Sequence, residues 1–196
     1  MGNRNDKGEA VRVKQENYNE YKTKNGRKVF DGGGVFPDEE MNSSKNSTLT
    51  NALIKDDLIF NYATNYYFNH EINNILNLKL SDNDFKNFKS YLNSNKFSFE
   101  TNTEKALNKA FEEAKIDGFN NNIKNDYDAL MTNLKQIKTT ELDNNKTFIL
   151  ELLTEEIVKR YGYREGLYEY YKIHDSKIKR ATEILGNPST YMEYLQ

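Results

Sequence analysis

A chain of 196 residues in which 28 Lys plus Arg face 30 Asp plus Glu, a net charge of -2, has the length of one ordinary domain or two small ones with a core of their own. The near balance of charge excludes nucleic acid as the main partner. The absence of Cys excludes disulfides, thiolate metal centres and a cysteine nucleophile, and no apolar run reaches the roughly 18 to 20 residues of a membrane span. A mean hydropathy of -0.93 beside 14 Tyr and 11 Phe describes a folded protein with aromatic packing under a very polar surface.

The chain divides at about residue 45. Before it lie the β-favouring pieces Val11-Arg12-Val13, Tyr21-Lys22-Thr23 and Lys28-Val29-Phe30, and Asn25-Gly26 between the last two predicts a β-hairpin. Gly32-Gly33-Gly34 and Pro37-Asp38 close the extended stretch, and a polar linker starts at Met41. From Thr48 the period becomes helical. Leu53, Ile54, Leu58, Ile59, Tyr62, Tyr66, Ile72, Ile75 and Leu76 keep to a spacing of three or four, which predicts one long amphipathic helix.

Ser81 with Asp84, ahead of Phe85, Phe88 and Leu92, has the capping-box pattern of a second helix. Thr101 with Glu104 opens a third, which Gly118 stops. Ile123, Tyr127, Leu130, Leu134 and Ile137 form a coiled-coil-like seam on a fourth, and Phe148, Ile149, Leu152, Leu153, Ile157 and Tyr161 mark a fifth. Gly162 and Gly166 loosen the chain before the Tyr-rich stretch to Tyr171. Asp175 opens a sixth helix, Gly186-Asn187-Pro188 ends it, and Tyr191, Met192 and Leu195 form an apolar tail. The expected fold is therefore mainly α, a multi-helix domain over 46–196 behind a short hairpin within 1–45.

No constellation here carries catalysis. The triple glycine leads into Val35-Phe36-Pro37 and lacks the Gly-Lys-Ser/Thr ending of a phosphate-binding loop. The carboxylate runs Asp38-Glu39-Glu40, Glu112-Glu113 and Glu155-Glu156 read as solvated charge, and His70 and His174 have no sequence-near ligand partners. No catalytic residue, metal ligand or cofactor motif is assigned. Tyr168 and Tyr171, with Tyr191 and Leu195 of the tail, are candidate interface residues, because the end of a small bundle hides so much apolar area with difficulty.

Residues 21–41, YKTKNGRKVFDGGGVFPDEEM, resemble the stretch that closes the protease domain of carboxy-terminal processing (tail-specific) serine proteases, with Asn25, Gly26, Arg27, Gly32, Gly33, Gly34, Pro37 and Asp38 matching its motif. Phe30-Asp31 departs from the family's Tyr-Asp by one hydroxyl. EAVRVKQENYNE before the motif, and DDLIFNYAT, LTEEIVKRYGYREG and ILGNPSTYMEYL after it, are similar to the Bacteroidetes-type form of the family. The resemblance implies a parent serine endopeptidase with a Ser nucleophile and a Lys general base, both upstream of this chain. It also implies a PDZ domain and protease core in cis, protein substrates, action in the periplasm or otherwise outside the cytoplasm, and terminal helices that brace the core, contact substrate or form a homodimer. The competing reading is a free-standing helical interaction module without a protease.

Overall fold

The computed structural model describes residues 19–30, 38–39, 41 and 47–195, and these hold two β-strands and eight α-helices. The expectation of a mainly helical chain behind a short hairpin is met. Val11-Arg12-Val13, Gly32 to Gly34 and Pro37 lie outside the described residues. Two compact units emerge: Ser44–Ile173, and the described parts of Met1–Ser43 together with those of His174–Gln196.

In the first unit, α1 (Thr48–Lys55) starts where the Ser47 hydroxyl accepts from the backbone N–H of Thr50. The single long helix expected from Thr48 is instead α1 followed by α2 (Leu58–Asn69) and a 3-10 turn (Ile75–Asn77). The break lies at Asp57, whose φ of 55° is left-handed, a conformation an Asp tolerates better than most residues. Apolar spacing runs on across this break, so periodicity alone could not reveal it.

Helix α3 (Asp82–Ser94) and helix α4 (Asn102–Ile116) both begin with the capping boxes read in the sequence, Ser81 with Asp84 and Thr101 with Glu104. Gly118, at φ 79°, ends α4: its N–H reaches the carbonyl of Lys115, and that of Phe119 reaches Ala114, a Schellman closure. Helix α5 (Asn120–Asn144) then packs back along α4, where the Phe111 and Tyr127 rings stack at 4.2 Å. The seam expected on α5 is used on one side: Tyr127 and Leu134 are half-buried, while Ile123, Leu130 and Ile137 are exposed.

Helix α6 (Lys146–His174) supplies the centre of the core. Ile149, Leu153 and Ile157, each four residues from the next, are completely buried beside Leu49, Leu53, Phe88 and Leu92. One turn on, Arg160 donates to the Phe60 carbonyl at 2.7 Å and the Thr64 hydroxyl at 2.9 Å, and the Tyr161 hydroxyl donates to the His70 carbonyl. These bonds run α6 alongside α2. The helix is interrupted at Tyr163 (φ 55°, ψ -155°), between the two glycines that the sequence marks as loose.

In the second unit, β1 (Glu20–Lys22) pairs antiparallel with β2 (Lys28–Phe30), Tyr21 opposite Val29. The Gly26 N–H bonds the Thr23 carbonyl, and a φ of 88° makes Gly26 the residue that lets the loop close. Asp175 caps α7 (Ser176–Gly186) by accepting from Lys177 and Ile178. Asn187 caps α8 (Pro188–Tyr194), with Pro188 in the first turn where no amide hydrogen is needed. The apolar tail is thus a helix, signalled by Asn-Pro.

Candidate interaction surfaces

The hairpin motif is tied down by charge. Arg27 pairs with Asp38, so two of its residues separated by the glycine run meet in space. The next residue, Glu39, is half-buried and receives Arg180 of α7 through Nε at 2.7 Å and Nη2 at 2.9 Å, with the Tyr194 hydroxyl of α8 donating at 2.8 Å. Hydrogen bonds from Arg180 and then Tyr194 hold the Glu39 carboxyl below its ordinary range, and the bond to Glu39 raises Tyr194 and Arg180. The reading of Asp38-Glu39-Glu40 as solvated charge is therefore corrected at Glu39. Its partners are more than 140 positions away, so no local pattern announces them.

Two other carboxylates from the acidic runs are also engaged. Burial pushes Glu155 up, opposed by a hydrogen bond with Tyr171. Burial acts on Glu156 as well, but Lys159 and Arg160 outweigh it and lower that carboxyl. Tyr171 is half-buried and bonded to Glu155, whereas Tyr168, on the same helix, is 55% exposed. Tyr191 and Leu195 are exposed in and just after α8. The four candidate interface residues fall in different units, two in each.

Sequence reasoning missed a further surface, made of two shallow clefts between α2 and α3 that share Tyr91. His70 sits at the edge of one of them, stacked on Tyr66 at 3.9 Å. That packing suits a structural histidine. Among the described residues, no three His, Asp or Glu side chains converge into a group able to hold a metal ion, and no helix is long and apolar enough to cross a membrane.

The described residues thus define a helical unit with polar clefts and a second unit closed by an ion pair. Residues 49–185 match the family described as "Probable PDZ-protease, C-terminal helical domain". The chain belongs to that family, and is a protease-related C-terminal domain. No curated protein and no solved structure matches it.

Proposed function

We propose that the chain is the C-terminal portion of a carboxy-terminal processing serine endopeptidase, of the form resembling that of Bacteroidetes-type bacteria, which acts outside the cytoplasm. The Ser nucleophile, the Lys base and the PDZ domain lie upstream. Residues 1–45 close the protease domain, and 46–196 form a helical domain that braces the core or meets protein substrates. The chain by itself is inactive. The observation that carries this reading is one of order: the Asn25–Arg27 to Asp38 motif stands directly before a region matching the helical domain of a probable PDZ-protease. Tyr168, Tyr171, Tyr191 and Leu195 are the contacts proposed toward the core or a second copy.

The test joins the chain to the coding sequence upstream of it. The whole protein should carry a Ser/Lys dyad, cleave an unfolded protein and react with a fluorophosphonate probe, while the 196-residue chain alone does neither. An upstream sequence without such a dyad would favour the free-standing module. Cleavage by the chain alone, abolished by a point substitution within it, would overturn the reading.

A further inference from the structure

Helix α2 carries Asn61, Asn65 and Asn69, four residues apart, and α3 with its C-cap carries Asn87, Tyr91 and Asn95 at the same spacing. The structure brings both rows to one place. Asn61 lines a cleft with Asn95, and Asn65 and Asn69 line a second cleft, of about 240 Å³, with Asn87; Tyr91 borders both. Asn is a poor residue for a helix interior, so neither row serves helix formation.

Much of this amide capacity is available. Among the described residues the side chains of Asn61 and Asn87 make no hydrogen bond. Asn69 Nδ2 donates to Asn65 Oδ1 at 2.6 Å, which leaves Asn65 Nδ2 as a donor and Asn69 Oδ1 as an acceptor. Asn95 Nδ2 donates to the Tyr91 carbonyl at 2.8 Å and keeps its own oxygen. The trough thus presents donors and acceptors together, as a peptide group does.

Spacing and charge narrow the ligand. Residues four apart on a helix are about 6 Å apart along its axis, close to the roughly 6.6 to 6.8 Å over which an extended chain repeats its backbone groups on one side. The charged side chains lining the clefts are Asp56 and Lys96, of opposite sign, at one end, so nothing there selects a polyanion. Rings suited to stacking on a sugar are engaged already: Tyr66 against His70, and the buried Tyr62 edge-on to Phe88 and Tyr91. We infer that the α2–α3 trough binds an extended polypeptide segment through its backbone, held by the side-chain amides of Asn61, Asn65, Asn69 and Asn87. The inference rests on the proposed function only for the source of that segment, a substrate of the parent protease.

The test uses fluorescence anisotropy with the 196-residue chain and a fluorescein-labelled, C-terminally amidated pentadecapeptide of mixed Ser, Ala, Thr and Val. Saturable binding is expected, weakened about tenfold or more in Asn61→Ala/Asn87→Ala, in keeping with the loss of two hydrogen bonds. Because Ala favours helix, that variant should unfold no earlier than the parent chain. The same peptide N-methylated at alternate residues should bind as weakly. Absence of saturable binding up to about 1 mM, or equal affinity in the double variant, would overturn the inference. So would displacement of the probe by maltohexaose but not by unlabelled peptide, which would make the trough a saccharide site. None of these results depends on whether a Ser/Lys dyad lies upstream, so the site and the proposed function fail separately.

Discussion

Arg180 grips both carboxylate oxygens of Glu39 across 141 positions of sequence, with its Nε and Nη2 as donors. The pair ties the segment that follows the Gly32–Pro37 stretch of the motif to α7, and Tyr194 adds α8. Arg180→Ala should therefore raise amide hydrogen exchange in α7 and α8 by about tenfold or more while leaving Leu153 and its neighbours protected. The carboxyl of Glu39 is depressed, so its contribution is complete above the ordinary value of about 4.3 and is lost as pH falls through the lower folded value. Protection of α7 and α8 should fall in that acidic window, and Glu39→Gln should abolish the dependence. Identical exchange in the Arg180 variant would remove the clasp from the account.

Gly162 lies under the Cδ1 methyl of Ile75, and a side chain on Gly166 would meet the same methyl at 3.1 Å. Gly-to-Ala normally stabilises a helix by about 1 kcal/mol. At Gly162 the added methyl should instead cost about 1 kcal/mol net, because the tip of Ile75 must move. Ile75→Val deletes that tip, and Gly162→Ala should become stabilising in its presence. Urea unfolding of the four proteins in this cycle reads the reversal directly.

Tyr163 occupies a backbone region normally left to glycine and is 75% exposed, so its ring contributes little burial to offset the strain. Tyr163→Gly should raise stability by about 1 kcal/mol, while the β-branched Tyr163→Val should lower it by a similar amount. Equal midpoints for these two variants in thermal unfolding would show that the backbone there adopts an ordinary conformation.

Burial alone would raise the Glu104 carboxyl, but Lys138, at 2.8 Å, and Thr101 overcome it and hold it low. This is a stabilising contribution present above about pH 4.3 and lost as pH falls through the folded value. Lys138→Met leaves burial opposed only by the Thr101 hydrogen bonds, at a cost of about 2 kcal/mol near pH 7. The depression of the Glu104 carboxyl should then shrink, and the loss of stability as pH falls below about 4.3 should shrink with it. Unfolding midpoints from pH 3 to 7, a range of about 4 pH units around the carboxylate value, test this, and an unchanged acid-side loss would show that Lys138 does not hold the carboxyl low.

Phe88 is fully buried and edge-on to Tyr62, so Phe88→Ala should cost about 3 to 5 kcal/mol. Tyr168→Ala, on an exposed ring, should change stability by less than about 0.5 kcal/mol, yet weaken docking to the protease core or to a second copy if that surface is used. Tyr171→Ala differs, since it strips the partner from Glu155 and should cost about 1 to 2 kcal/mol. Sedimentation of the assembled protein separates the contact from the packing role.

Sequence alone determined what is decided within a few residues. Ser81 with Asp84, Thr101 with Glu104, Gly118 and Asp175 were legible because a cap or stop is closed by backbone atoms no more than one turn away. The hairpin at Asn25-Gly26 was legible for the same reason, and the helical region followed from its period. Only the tertiary structure decided the break at Asp57 and the one-sided use of the α5 seam, because a repeat of three or four residues survives a kink and does not say which neighbour covers it. It also decided the grip of Arg180 on Glu39, the nesting of Ile75 over Gly162 and the meeting of two Asn rows at Tyr91. Each of these joins groups on separate segments, and their pairing is set by how the helices pack.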